Sequence, residues 1–188
     1  YMKNKLFTIG VEEEYMICDT QSYDLTDKAD QIMSCLHDDE KDRYSYELLL
    51  SEIESNTSIC NDTKEAISEI IKHRNRLREI GKQLNFKIGI SGTHPTALPK
   101  NQNFVKNDSY NWVSSQLHEY ARENITFSTH VHIGLDNKDR IIEVMNIANG
   151  WISPMIALCA NSPFFAGKKT GMQSSRTFQF GIFPRTNI

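Results

Sequence analysis

The chain has 188 residues, with 21 basic residues against 24 acidic residues and a net charge of −3. This length fits one domain with a substantial core, and the balanced charge argues against nucleic-acid binding. No apolar run approaches the roughly 20 residues of a membrane span, and no signal-peptide core is present. The four cysteines are scattered without a C-x-x-C pair. We therefore expect a cytoplasmic protein with reduced thiols and no membrane segment.

Strands and helices alternate along the chain. Residues 63–84 give the clearest helix, because Asp62 and Glu65 form a capping-box pattern ahead of apolar residues at helical spacing. Pro154 is predicted to mark a break before a second apolar helical stretch, and residues 161–188 show little helical periodicity. In chain order we predict strands at 6–18, 47–57, 86–91 and 125–135, and helices at 28–37, 63–84, 109–122 and 137–149, with a loop at 92–108.

The predicted strands carry charged residues on one face. Strands of a parallel sheet that is covered on both sides tend to be continuously apolar instead. We therefore predict an α+β fold with a largely antiparallel sheet, in which helices pack on one face and the other face lines a polar site. Residues 1–188 would form a single catalytic domain or the amino-terminal portion of one.

Three consecutive glutamates, Glu12, Glu13 and Glu14, interrupt the apolar first strand. Adjacent carboxylates repel, and a strand interior disfavours them. Because side chains alternate across a strand, Glu12 and Glu14 share one face. Two carboxylates on a rigid strand form half of a site for a hard cation such as Mg²⁺. The alternative is a solvated edge strand.

Two further groups of residues carry chemistry that fits a metal or phosphate site. Glu52 and Glu54 share a face of the second predicted strand, and Glu47 lies at its start. His130 and His132 share the polar face of the strand at 125–135, where either imidazole could bind a metal or contact a phosphate. Surface carboxylates and structural histidines are the alternatives.

The carboxy-terminal residues are rich in glycine, hydroxyl groups and cations. The densest segments are 161–171, 174–176 and 184–186. Backbone N–H groups and arginine forks of this kind can hold anionic oxygens. The spacing of a P-loop is absent, so the segment is not a P-loop. An ordinary surface loop is the alternative.

Taken together, these segments resemble a known family, the carboxylate–amine ligases, also called glutamate–cysteine ligase type 2. That family belongs to the glutamine synthetase-like superfamily. Each motif is weak by itself, but five in the family's order are specific. The matching motifs are Gly-Val-Glu-Glu-Glu-Tyr at 10–15, Gly-Thr-His-Pro-Thr-Ala at 92–97, Thr-His-Val-His-Ile-Gly at 129–134, Asn-Ser-Pro-Phe-Phe-Ala-Gly at 161–167 with Thr-Gly at 170–171, and Ser-Arg at 175–176.

The resemblance implies an ATP-dependent reaction. Such enzymes join the γ-carboxylate of glutamate to an amine, typically that of cysteine, as in glutathione biosynthesis. The carboxylate takes the γ-phosphoryl group of ATP to form an acyl phosphate, which the amine then attacks. Clustered anionic oxygens require Mg²⁺ or Mn²⁺, held by carboxylates on a rigid sheet.

The resemblance also implies roles for individual residues. Glu12 and Glu14 match strand-borne metal ligands, and His130 matches a histidine that reaches metal or an ATP phosphate. Arg176 matches an arginine that holds the substrate carboxylate or a phosphoryl oxygen, and it forms the predicted catalytic pair with His130. The predicted metal ligands are Glu12, Glu14, Glu47, Glu54 and His130. The predicted cofactor-binding residues are His132, Arg185 and Ser175.

Other residues receive weaker assignments. Glu52 ranks below Glu54 because the family pattern does not require it. His94 either shapes the substrate pocket or structures its own loop ahead of Pro95. Lys168 and Lys169 are expected to be solvated.

The resemblance covers only about the amino-terminal half of a family member. The glutamine synthetase/guanido kinase-like catalytic fold that it implies would therefore be incomplete. Because half a sheet exposes an edge that can pair with another chain, we expect a homo-oligomer or a complementing carboxy-terminal polypeptide. Two other functions stay open: a metal-dependent hydrolase that uses His130 and His132 to hold zinc, and an inactive nucleotide-binding fragment.

Overall fold

The computed structural model describes residues 7–106 and 125–181. Within them, a five-stranded antiparallel sheet is built around a long first strand, β1 (Phe7–Asp19). One edge of β1 pairs with β3 (Glu52–Asn56), which pairs in turn with β2 (Tyr44–Ser45). The other edge pairs with β5 (Thr129–Leu135) along its first half and with β4 (Phe86–Gly89) at its end.

The remaining elements are helices and one short hairpin. The hairpin joins β6 (Phe164–Phe165) to β7 (Lys168–Lys169). Short 3-10 segments lie at Lys41–Arg43 and Pro99–Asn101. The helices that the structure describes are α1 (Ala29–Cys35), α2 (Thr63–Leu84), α3 (Arg140–Asn149), α4 (Ile152–Leu158) and α5 (Ser175–Phe180).

Helix α2 has the bounds that its capping signals predict. The Asp62 side chain accepts a hydrogen bond from the backbone N–H of Glu65 at 2.9 Å. The Glu65 carboxylate reaches back to the backbone N–H of Asn61 at 2.7 Å. At the other end, Asn85 takes a left-handed conformation, with φ of 56°, and terminates the helix.

The main core lies between the sheet and the first two helices. Side chains of Tyr15 and Ile17 point from β1 toward α1 and α2, where they are fully buried. The same face carries Glu13, whose carboxylate forms a two-pronged ion pair with Arg74 of α2. The predicted antiparallel sheet, with helices on one face, is therefore confirmed for α1 and α2. Other members of this core are Ala29, Ile32, Leu36, Tyr44, Ile53, Leu77, Ile80 and Phe86.

Several predicted boundaries are wrong. The second strand begins at Glu52 rather than at 47, because Leu49 forms an isolated bridge to Phe104 in a preceding turn. β5 begins at Thr129 rather than at 125. Pro154 lies inside α4 and does not precede it, since the first turn of a helix leaves its N–H groups without intrahelical acceptors.

Two further predictions concern the second half of the chain. The short helix α5, Ser175–Phe180, falls in a segment where we expected little helix. The predicted helix at 109–122 lies outside the residues that the structure describes.

Large apolar side chains are exposed on β5, α3 and α4. Neither helix has a buried residue in the described parts of the chain, and Trp151 is 63% exposed. On β5, Val131 and Ile133 are 61% and 50% exposed. No single helix among residues 7–106 and 125–181 is long and apolar enough to cross a membrane; α3 and α4 meet that criterion only as a pair bent by 59°.

Candidate metal and substrate site

The polar face of the sheet gathers acidic side chains from three strands. In the antiparallel register, Glu14 of β1 lies opposite Glu54 of β3. On the other edge of β1, Glu12 lies opposite His130 of β5. β1 is thus paired on both edges at this point. The alternative of a solvated edge strand is wrong, and Glu14 is buried.

Two groups of potential ligand atoms lie on this face, and each could hold one cation. Glu12, Glu54 and His130 form one group, and Glu14, Glu47 and Glu54 form the other. Within each group, the ligand atoms lie within 4.8 Å of one another. Glu54 belongs to both groups. The structure therefore brings all five predicted metal ligands together, and their mainly carboxylate donors suit Mg²⁺ or Mn²⁺.

Both histidines of β5 approach the same carboxylate oxygen. Oε2 of Glu12 lies 3.1 Å from Nδ1 of His130 and 3.2 Å from Nε2 of His132. Partial burial opposes ionisation of Glu12, but hydrogen bonds from His132 and His130 outweigh it and lower its pKa. His132 thus lies beside a candidate ligand, which is compatible with the phosphate contact predicted for it.

The other carboxylates of the cluster lie next to one another, with Glu14 buried and Glu47 and Glu54 half-buried. Burial, followed by the negative charge of Glu47, raises the pKa of Glu14 to about 7. Burial also raises the pKa of Glu47. Glu52, which is ranked below Glu54 as a metal ligand from the sequence, is buried beside them. Burial and the negative charge of Glu14 raise its pKa well above the usual range. Its Oε1 atom has no hydrogen-bond partner in the described part of the chain.

This electrostatic arrangement fits a bound cation. Buried carboxylates are normally paired with positive charge or coordinate a metal. A cluster of like charges with an unsatisfied oxygen lacks the compensation that a divalent cation would supply. The donor set and the unsatisfied Glu52 oxygen therefore both agree with the predicted metal.

We predict that Glu14 makes the stability of the metal-free chain depend on pH. Its folded-state pKa of about 7 exceeds the ordinary 4.5, so between these values only the unfolded state releases the proton. Stability therefore falls as the pH rises through that window. The free energy of unfolding of Glu14→Gln relative to wild type should gain about 3 kcal/mol between pH 4.5 and 7.

Urea unfolding in a chelating buffer would measure this difference at each pH. Glu79→Gln, on the exposed surface of α2, is the matched control, since its side chain is 64% exposed and outside the cluster. A constant difference between wild type and Glu14→Gln across the window would contradict the prediction.

A cavity of about 330 Å³ opens beside the carboxylate cluster. Arg176 of α5 lies in its wall, where its Nε donates to the backbone oxygen of Phe127 at 3.1 Å. Its guanidinium also donates to the hydroxyl of Ser128. The cavity thus combines a positioned guanidinium with Glu14 and His130, one residue from each ligand group. Its polar lining includes Glu14, Ser91, His130, Cys159, Asn161 and Arg176.

Three sequence-distant motifs meet at this cavity through short hydrogen bonds. Gly92 donates its N–H to the side chain of Asn161 at 2.9 Å, and Ser91 donates its hydroxyl to the Asn161 backbone at 2.7 Å. Ser162 accepts from the N–H of Arg176 at 3.2 Å. A Cβ at Gly92 would lie 3.1 Å from Cβ of Arg176, so the absence of a side chain permits this close approach.

Other predicted residues have different surroundings. Ser175 is 3% exposed, and its hydroxyl bonds that of Thr170 at 2.7 Å, so a phosphate contact would require this bond to break. Arg185 lies outside the described residues. Nδ1 of His94 accepts from the N–H of Ala97 at 3.0 Å, which favours the loop-structuring role. Both residues of β7, Lys168 and Lys169, are exposed, as expected.

Comparison with known proteins gives matches over nearly the whole chain. The model of the glutamate-cysteine ligase family 2 matches residues 8–188. A Herpetosiphon aurantiacus protein that carries the provisional name glutamate–cysteine ligase 2 is 35% identical over 97% of this chain and 47% of its own length. The Solibacter usitatus and Sorangium cellulosum proteins with the same provisional name are 35% and 30% identical, over 96% and 97% of this chain.

The extent of the match shows the family of the chain and the part of its relatives that it spans. The chain spans about half the length of the curated relatives that it matches, with 47% and 49% of the Solibacter and Sorangium proteins covered. The family model, in contrast, covers nearly every residue of this chain. The chain therefore belongs to glutamate-cysteine ligase family 2.

Proposed function

We propose that this chain supplies the metal- and nucleotide-binding half of an ATP-dependent ligase that joins the γ-carboxylate of glutamate to an amine, with cysteine as the preferred acceptor. One observation carries the proposal: two overlapping groups of cation ligands share Glu54, and one member of each, His130 and Glu14, lines a cavity that also presents Arg176. Metal ligands and a guanidinium at one cavity match the needs of phosphoryl transfer to a carboxylate.

The carboxylate cluster is the proposed site for Mg²⁺ or Mn²⁺. Glu12, Glu54 and His130 would hold one cation, and Glu14 and Glu47 would join Glu54 around a second. When bound, these cations supply positive charge that offsets the repulsion between the substrate carboxylate and the ATP phosphates.

Arg176 is the residue that we assign to the reacting anions. Its backbone N–H, its Nε and its terminal nitrogen are all engaged, so the guanidinium is held in a fixed orientation at the cavity wall. A fixed arginine fork can orient a substrate carboxylate or a phosphoryl oxygen at low entropic cost. His130, which also lines the cavity, would help to position the phosphate.

The proposed chemistry has two steps. A γ-carboxylate oxygen of glutamate attacks the γ-phosphorus of ATP, and ADP leaves. The amine nitrogen then attacks the acyl carbon, loses a proton, and phosphate leaves with the carboxylate oxygen. Positioning and electrostatic stabilisation supply most of the rate enhancement in phosphoryl transfer.

The competing zinc hydrolase has less support from the site. Each described ligand group contains at most one histidine together with carboxylates. His132 contacts Glu12 but belongs to neither group. Oxygen-rich donor sets suit Mg²⁺ and Mn²⁺, whereas zinc sites are richer in nitrogen or sulfur ligands.

Isotope transfer tests the proposed reaction. The purified chain, alone and with the unmatched half of the Herpetosiphon relative, would receive glutamate labelled with ¹⁸O in its γ-carboxylate, together with Mg²⁺, ATP and cysteine. We expect one ¹⁸O atom in each phosphate released, because the acyl phosphate transfers a carboxylate oxygen. Phosphate that is formed without label would contradict the acyl phosphate.

We also propose that the chain carries part of a glutamine synthetase-like catalytic fold and requires a partner polypeptide. The large apolar side chains exposed on β5, α3 and α4 support this proposal, since exposed apolar surface is a feature of interfaces. β5 also pairs only with β1 in the described sheet, which leaves a strand edge for pairing.

Sedimentation velocity tests the proposed partner. We expect the isolated chain to self-associate with rising concentration, and the unmatched half of the Herpetosiphon relative to form a complex with it in place of self-association. Ile142→Glu, on the exposed face of α3, should weaken both the self-association and the complex with the other half. Lys138→Glu, a charge change near the same helix, is the control. A monomer at all concentrations that also fails to bind the other half would contradict the proposal.

A further inference from the structure

The carboxylate common to both ligand groups is held by two side chains that have no assigned role. Resting on the proposed function, we propose that Ser45 and Asn56 are positioning residues that fix the Glu54 carboxylate for cation binding. Neither residue touches a reacting atom; each would act through Glu54. Metal ligands depend on such outer hydrogen bonds for their orientation and affinity.

Three side chains form a closed triangle of hydrogen bonds. The Ser45 hydroxyl donates to Oε1 of Glu54 at 2.8 Å. The Asn56 amide nitrogen donates to the same oxygen at 3.0 Å and to the Ser45 hydroxyl at 3.2 Å. All donors and acceptors balance, since the amide has two hydrogens and the hydroxyl donates once and accepts once.

The triangle distinguishes the two oxygens of Glu54. Oε1 accepts two hydrogen bonds, which matches its two lone-pair directions. The other oxygen, Oε2, is therefore the atom that the arrangement leaves for cations. Glu54 would offer one defined oxygen to the two ligand groups, with the carboxylate plane fixed before any cation binds.

The sheet explains why these residues meet. Ser45 lies directly opposite Glu54 in the β2–β3 pairing. Asn56 is two residues beyond Glu54, so both project from the same face of β3. Asn56 also lies opposite Glu12 of β1, so the triangle stands between ligands from two strands. β2 contains only two residues, and the Ser45 contact gives this short edge strand a specific role at the site.

Calorimetric titration of Mn²⁺ into the purified metal-free chain measures the binding affinity and tests the proposal. We expect Ser45→Ala to weaken Mn²⁺ binding by about 10- to 100-fold, the range for outer partners of metal ligands. Ser45→Thr retains the hydroxyl and suits a strand, so it should restore the affinity. Asn56→Ala should weaken binding to a similar extent, and the double variant should add little, because the hydrogen bonds act as one unit.

A matched control comes from a second serine that bonds a glutamate. The Ser58 hydroxyl donates to Glu69 outside the ligand groups. Ser58→Ala should therefore leave Mn²⁺ affinity unchanged. Thermal unfolding of each variant without metal measures its stability. A positioning role predicts that the loss of Mn²⁺ affinity is larger than the loss of stability explains.

The outcomes separate this inference from the proposed function. No Mn²⁺ binding by wild type would overturn both. Wild-type binding with unchanged affinity in Ser45→Ala and Asn56→Ala would overturn the positioning role alone. Affinity that falls only in proportion to stability, or that Ser45→Thr fails to restore, would also overturn it.

Discussion

Glu54→Gln is expected to lose Mg²⁺–ATP binding by on the order of 100-fold or more. Glu54 is the one residue common to both ligand groups of the described chain, so its neutralisation removes an anionic ligand from each. Outer partners of metal ligands are worth 10- to 100-fold in affinity, and a ligand shared by two cations should exceed that. The glutamine oxygen can still accept from Ser45 and Asn56, so the surrounding hydrogen bonds are retained.

Calorimetric titration of Mg²⁺–ATP would measure this loss. Glu12→Gln affects one of the two groups and should weaken binding less. Glu69→Gln is the control, because that carboxylate bonds Ser58 away from the cluster. Wild-type affinity in both Glu54→Gln and Glu12→Gln would contradict the assignment of this face as the nucleotide and metal site.

Arg74→Met is expected to lower the free energy of unfolding by about 3 kcal/mol. The Glu13 side chain is 4% exposed on the core face of β1, and Arg74 bonds both of its oxygens, at 2.8 and 2.6 Å. Removal of one partner leaves a buried charge uncompensated, which costs about 3–5 kcal/mol in buried pairs. We take the lower end because the Arg74 side chain is 40% exposed and water screens it.

A double-mutant cycle measured by urea unfolding isolates the ion pair. Glu13→Gln combined with Arg74→Met removes both charges and should recover much of the stability that Arg74→Met loses. Arg78→Met, on an exposed part of α2, is the control. Equal stability of Arg74→Met and wild type would show that Glu13 needs no cationic partner.

The face that carries the candidate site was predictable because strand alternation is a local property. A period of two places Glu12 and Glu14 on one face of β1, and the same rule places His130 with His132 on β5. The start of α2 was predictable in the same way, because the capping residues Asp62 and Glu65 are neighbours in the sequence. The third glutamate, Glu13, falls by the same rule on the face that the structure uses for the core.

Features that depend on strand register or on distant contacts were not predictable. Ser45 carries no signal in the sequence, and its proposed role follows only from its place opposite Glu54. Asn56 alternates with Glu54, which was the single available clue. The contact between Gly92 and Asn161 joins positions 69 residues apart. Burial of Glu52 depends on neighbours from other strands, so local pattern alone could not predict it.

Formation of ADP tests the central claim most directly. The purified chain, alone and with the unmatched half of the Herpetosiphon relative, would be incubated with Mg²⁺ and ATP, with glutamate and cysteine present or absent. The account predicts ADP only when both amino acids are present, and its loss in Glu54→Gln. ADP formation that does not depend on glutamate and cysteine would contradict a carboxylate–amine ligase activity. Absence of ADP even with the other half bound would also contradict it.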